Sequence, residues 1–158
     1  MIAMAAIMLL AILTYFFQSA LDSQNDPRNL VIASTQTGDL VEMKLRADRQ
    51  GHYALAGSIN GVRANFILDT GATYVAIPEK LATRLHLEKG QRIPISTANG
   101  NTSGYRTVIN RLTLGKIVLY DIKAVIQPRL DEILLGMSAL RQLEFIHQSG
   151  ELTIRQRK

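Results

Sequence analysis

The sequence predicts a mostly β, closed barrel-like domain with one or two short helices, preceded by an N-terminal transmembrane helix. Three observations lead there. Apolar residues alternate with polar ones in short runs, as in Val41, Met43 and Leu45 set between Glu42, Lys44 and Arg46, the period-2 pattern of a half-buried strand. Turn residues punctuate these runs closely, and Asn60-Gly61 is the strongest short hairpin signal because both residues tolerate positive φ. Ahead of them, Met1 to Phe17 carries no charge.

That first run extends through Gln18-Ser19-Ala20-Leu21. Spanning the hydrocarbon core takes about 20 apolar residues, with roughly 17 as the lower limit, so residues 1–21 read as an anchor. A cleaved signal peptide is the alternative, but no Lys or Arg precedes the run and Gln18-Ser19-Ala20 makes a poor cleavage site. The flanking charges do not decide the orientation, since Asp22, Asp26 and Arg28 follow the run and only the α-amino group precedes it. Residues 22–39, rich in Ser, Asn, Gln, Asp and Thr with Pro27, read as a linker. Residues 40–158 then form one domain of ordinary size.

Within the domain, a strand around Val41–Leu45 turns at Asp48-Arg49-Gln50-Gly51 into a second strand, His52 to Ile59. Val62 to Leu68 returns from the Asn60-Gly61 turn, and Tyr74 to Ile77 is the next short strand. Pro78 suits the first turn of a helix, with Leu81, Ala82 and Leu85 on its apolar face. Ile93 to Thr97 and Tyr105 to Leu112 flank a polar tip, Ala98 to Gly104, and together read as a long, mobile hairpin. Lys116 to Tyr120 and Ile122 to Ile126 continue the sheet. Ile133-Leu134-Leu135-Gly136 is a buried strand followed by a short helix, Met137 to Leu143. A last hairpin, Phe145 to His147 and Leu152 to Arg155, turns at Ser149-Gly150. The total is roughly nine strands and two short helices.

All 18 basic and 13 acidic residues follow residue 21, giving a net charge of +5. The tail Arg155-Gln156-Arg157-Lys158 reads as a solvated end. Without Trp or an aromatic platform beside the basic residues, nucleic-acid binding gains no support. Cysteine is absent, which excludes thiol catalysis and disulfides. His52, His86 and His147 share no ligand spacing, so no metal and no cofactor is expected. Ser138 lacks the Gly-x-Ser-x-Gly context of a nucleophile elbow and reads as a helix-start hydroxyl.

One carboxylate stands out. Asp69 ends the apolar run Phe66-Ile67-Leu68 and is followed by Thr70-Gly71-Ala72-Thr73. An ionisable group there is costly to desolvate unless something pairs with it or uses it. Taken alone, Asp-Thr-Gly also fits a strand-end turn in which the Asp accepts backbone N–H bonds. Its surroundings favour chemistry: an apolar-apolar-Gly strand, Leu134-Leu135-Gly136, recurs about 65 residues on, with a glycine-tipped hairpin between.

From about Gln50 to Arg155 the chain resembles the retropepsin-like aspartic proteases, in particular bacterial membrane-anchored members with Asp-Thr-Gly-Ala. The landmarks are Gly51-His52-Tyr53, Ile59-Asn60-Gly61, Leu68 to Thr73, Thr97-Ala98-Asn99-Gly100 and Leu134-Leu135-Gly136-Met137-Ser138. The resemblance implies a retropepsin-like fold and an aspartic endopeptidase with catalytic Asp69, Thr70 and Gly71. Thr70 would cross-link two loops and Gly71 would let backbone approach the carboxylates. Ala72, Leu134, Leu135 and Gly136 would support the site. Ala98, Asn99, Gly100 and Asn101 would form a flap over a peptide or protein substrate. No second Asp-Thr/Ser-Gly occurs, and Asp39, Asp121 and Asp131 sit in other contexts, so the resemblance implies a homodimer with Asp69 from each copy and, by analogy, interface strands from Phe145 to Arg155. It also places the anchor in the inner membrane and the domain on the periplasmic side. The rival reading is a non-catalytic peptide-binding or dimerisation module on the same fold.

Overall fold

The computed structural model describes residues 7, 8, 10–15, 31–97 and 100–157. Ile7, Met8 and residues 10–15 are helical, and among the described residues no helix is long and apolar enough to cross a membrane. The rest of the expected anchor (1–21) and residues 22–30 of the expected linker lie outside the described residues.

Among the described residues eleven strands follow, in two sheets. The smaller joins β1 (Val31–Thr37), β2 (Leu40–Arg46), β11 (Glu151–Arg157) and β10 (Glu144–Gln148), in that order and antiparallel throughout. The larger runs β3 (Ala54–Ile59), β4 (Val62–Leu68), β9 (Ile133–Leu135), β5 (Val75–Pro78), β8 (Ile117–Gln127), β7 (Gly100–Leu114) and β6 (Arg92–Thr97). Ser58 and Ile59 of β3 pair with Thr113 and Leu112 of β7, which closes this sheet on itself. Two one-turn helices, α1 (Glu79–Ala82) and α2 (Met137–Leu140), pack on it. Phe66, Leu55, Ile59, Ile77, Leu85, Ile109 and Leu112 share one core with Met43, Leu45 and Ile154 of the smaller sheet.

Several expectations change. The domain begins before residue 40, because Val31–Thr37 of the expected linker pairs with β2; its polar residues are those of an exposed edge strand. The basic tail is no loose end, since β11 runs to Arg157 and pairs with β2, and Arg155 Nε lies 2.7 Å from Glu42 Oε2. The hairpin tip is shorter than Ala98 to Gly104, because Gly100 to Gly104 pair with Thr97 to Ile93. α2 stops at Leu140, short of Leu143.

The two strands expected at 116–126 are one, β8, and the reason is geometric. On β7 the inward residues shift from Ile109 to Leu112 and Leu114; on β8 they shift from Ile122 to Leu119 and Ile117. Asp121 takes φ 53° at this point. Strict alternation fails there, so the sequence reads as a break although pairing continues on both sides.

Asn60 does more than turn the chain. Asn60 (φ 48°) and Gly61 (φ 84°) make the expected tight hairpin. The Asn60 Nδ2 also donates to the Leu85 carbonyl at 3.1 Å, while its Oδ1 accepts from the Arg111 amide at 3.1 Å. The hairpin is thereby tied to the turn after α1 and to β7. Asn60→Gly keeps the backbone freedom but removes these links, so it is expected to cost about 1–3 kcal/mol. Urea unfolding measures this, and a wild-type midpoint would show that the side chain serves the turn alone.

Candidate active site

The site is assembled by strands before any side chain acts. β4 buries Ala64 and Phe66 on one face, which fixes its register against the core. It runs parallel to β9, pairing Phe66 with Ile133, Ile67 with Leu134 and Leu68 with Leu135. At its end the Leu68 amide donates to the Tyr53 carbonyl at 2.9 Å and the Asp69 amide to the Leu135 carbonyl at 3.1 Å. The chain then turns: Gly71 N–H donates to Asp69 Oδ1 at 2.8 Å and Ala72 N–H to the Asp69 carbonyl at 3.3 Å. It returns as β5 on the other side of β9, pairing Ala76 with Leu134. β9 therefore lies between the incoming and outgoing arms of the Asp69 loop.

Gly136 makes that passage possible. A Cβ placed there would lie 2.2 Å from the Tyr74 carbonyl oxygen and 2.7 Å from that of Ala72, distances no side chain can occupy. Just beyond it, α2 returns the contact. Met137 N–H donates to the Ala72 carbonyl at 2.7 Å and Ser138 N–H to that of Thr73 at 2.9 Å. Ser138 Oγ accepts from the Val75 amide at 3.0 Å and donates to the Lys123 carbonyl at 2.7 Å.

The result is a carboxylate held by backbone and presented at the surface. Asp69 and Ala72 are half-buried, while Thr70 and Gly71 are exposed. The structure thus gathers Asp69, Thr70, Gly71, Ala72, Leu134, Leu135 and Gly136 in one crossing. Of the expected flap, Ala98 and Asn99 lie outside the described residues; Gly100 and Asn101 are exposed on the β6–β7 hairpin, opposite Thr97 and Ser96. The Gly71 amide lies 2.8 Å from Asp69 Oδ1, and the tightest backbone packing of the crossing falls at Gly136. Gly71 does not take a positive φ, and a Cβ on it would meet Asp69 Oδ1 at 3.2 Å.

Ser138 is the positioning residue that sequence reasoning undervalued. Its hydroxyl bridges β5 and β8 rather than capping α2, which has no side-chain cap. The available signal was a lone hydroxyl two residues beyond the glycine of a buried strand. Tyr53 also contributes through its carbonyl, and its ring stands edge-on to His147 at 6.2 Å.

A closed barrel that offers one Asp-Thr-Gly loop across an apolar-apolar-Gly strand defines the retropepsin-like class of fold and site. The chain belongs to the family described as "gag-polyprotein putative aspartyl protease", whose model matches residues 55–142, from β3 to just past α2. It is 28% identical over 120 residues to an uncharacterized protein in the cobV 5′ region of Sinorhizobium sp, covering 72% of this chain and 52% of that protein. It is likewise 28% identical over 126 residues to an uncharacterized protein of Rickettsia prowazekii (strain Madrid E), covering 77% of this chain and 52% of the relative. The chain thus spans about half the length of these two relatives. Among solved structures, a retropepsin-like aspartic protease from Rickettsia conorii superposes with a TM-score of 0.64 at 26% identity, covering 78% of this chain and 96% of that one.

The two glycines separate by experiment. Gly136→Ala forces a Cβ onto fixed carbonyls, so its cost should reach or exceed the ~3 kcal/mol upper end of ordinary overpacking. Gly71→Ala meets only a side-chain oxygen and should keep a thermal midpoint close to wild type. Equal midpoints for Gly136→Ala and wild type would mean that the crossing is loose.

Proposed function

We propose that the domain is an aspartic endopeptidase acting as a homodimer, with Asp69 of each copy in one shared centre. The observation that carries this reading is the half-buried Asp69 carboxylate, fixed by the Gly71 amide at a surface crossing of β4 and β9. Two such carboxyls within hydrogen-bond distance would repel if both were charged, so they would hold one proton between them. The ionised Asp69 takes a proton from a water between them, and the resulting oxygen nucleophile adds to the scissile carbonyl. The protonated Asp69 donates to the carbonyl oxygen as charge develops there. The tetrahedral adduct then collapses: the C–N bond breaks and the departing nitrogen takes a proton from the pair.

Thr70, exposed beside the carboxylate, would bond across the two loops. The β6–β7 hairpin with Ala98, Asn99, Gly100 and Asn101 would cover an extended peptide and exclude water. The uncharged run at residues 1–17 supports an anchor, which would hold the domain at the periplasmic face of the inner membrane and confine copies in two dimensions. Dimerisation also has support in the smaller sheet. Among the described residues β10 is an open edge with all five residues exposed, including Phe145 at 37% and Ile146 at 39%, and bare edges with large apolar residues tend to pair.

Asp69→Asn should lower hydrolysis of a peptide library by at least ~10³-fold while leaving the thermal midpoint near wild type. Wild-type activity should be bell-shaped with pH, because the pair works with one proton and fails with none or two. Cleavage by Asp69→Asn at the wild-type rate would refute the mechanism. Phe145→Asp with Ile146→Asp should shift sedimentation towards monomer and make activity rise steeply with protein concentration. A strictly monomeric, fully active wild-type domain would refute the shared centre.

A further inference from the structure

A groove of about 820 Å³ that the proposed mechanism does not use runs along the outward face of β7 and β8, bounded by Tyr74 and by residues 86–90. It begins close to the site. Tyr74 lies five residues beyond Asp69, and five residues reach at most about 17 Å. The wall at 86–90 is fixed to β7: Gly90 N–H donates to the Arg106 carbonyl, and Arg106 N–H to that of Gln91, both at 2.9 Å.

The charge in this groove is unbalanced. Arg106 and Lys123 are exposed on the same face, since Arg106 pairs with Val125 and Lys123 with Val108, which makes the two cations diagonal neighbours. Among the described residues neither has an ion-pair partner. Lys89 joins them from the wall, paired with Glu79 and 5.1 Å from the Tyr105 ring centroid. Glu88 is the one acid among the described residues of the lining. Between the two cations, Val108 is 50% exposed, an apolar floor on which the stems of long side chains can rest.

Geometry narrows the partner. Diagonal cross-strand neighbours stand about 7–8 Å apart, and alternate residues of an extended chain, about 6.6–6.8 Å apart, face the same way. Two carboxylates in an acid-x-acid stretch therefore match Arg106 and Lys123. Concavity favours a chain that enters the groove over a flat lipid surface.

We propose that this groove is a secondary docking site for an extended acidic segment of a protein substrate, flanking the bond to be cut. That the segment belongs to a substrate rests on the endopeptidase reading above; that the groove binds an acidic chain does not. The test uses the full-length protein and a fluorescent eight-residue peptide with glutamate at alternate positions, against the same peptide with glutamine. Fluorescence anisotropy should show binding of the glutamate peptide that weakens as salt screens the charges. Arg106→Glu with Lys123→Glu should weaken it roughly tenfold or more, the scale of two exposed charge pairs lost and replaced by repulsion. Arg106→Gln with Lys123→Gln should fall between, with thermal midpoints confirming that both variants fold.

Asp69→Asn should bind the peptide as wild type does, and a wild-type protein that binds it yet cleaves no peptide would defeat the endopeptidase reading and uphold the groove. Where hydrolysis is present, an acidic flank should lower KM with kcat unchanged, and the charge reversal should abolish that gain. Equal binding of the glutamate and glutamine peptides, or binding indifferent to the reversal, would overturn the proposal. So would recruitment to phosphatidylglycerol vesicles through Arg106 and Lys123 without peptide binding.

Discussion

Passage of β9 between the two arms of the Asp69 loop is the constraint on which the site depends. Leu134 is paired on both sides, with Ile67 of β4 and Ala76 of β5. A residue so placed cannot shift register without breaking two ladders at once. The passage ends at Gly136, where the carbonyls of Ala72 and Tyr74 leave no room for a side chain. From there Met137 and Ser138 turn their amides back onto Ala72 and Thr73. The loop around the carboxylate is therefore over-determined by backbone, and its own side chains are released from structural duty. Such release is what a site on rigid elements requires.

The same constraint explains why the carboxylate stays at the surface. No polar or charged side chain among the described residues is fully buried, so the fold keeps ionisable groups out of its single core. Asp69 gains one amide from Gly71 and stops half-exposed. In the proposed dimer an apposed copy would supply both the partner carboxyl and the exclusion of water that strengthens every charge interaction in the site. Thr70 and Gly71, exposed in the monomer, are the atoms that apposition would cover first.

Much of this was legible in the sequence because the decisive signals are local. Period-2 alternation marked β2, the Asn60-Gly61 pair marked the β3–β4 turn, and Leu68-Asp69-Thr70-Gly71 with Leu134-Leu135-Gly136 marked both halves of the crossing. Where local signals were mixed, the reading failed in a definite direction. β1 is polar because it is an exposed edge strand, so its composition matched a linker. β8 reverses its inward face at Asp121, so one strand looked like two. The basic end looked solvated because its cations were counted without Glu42, whose carboxylate meets Arg155 across 113 residues of sequence.

The harder failures concern which small residue does which task. Gly71 and Gly136 are indistinguishable as letters, and beside the Gly71 amide at the carboxylate nothing local marks Gly136 as the place of tightest packing. What decides the matter is the position of two carbonyl oxygens more than 60 residues away in sequence, and no window along the chain contains both parties. Ser138 is the same case: its hydroxyl bonds β5 and β8 at once, 63 and 15 residues distant, so a reading confined to its own helix could only make it a cap. The groove at Arg106 and Lys123 escaped for a related reason. Each cation alone is an ordinary exposed charge, and only the β7–β8 register sets them diagonally on one face. Sequence reports which chemistry is present; long-range register decides which groups are brought to act together.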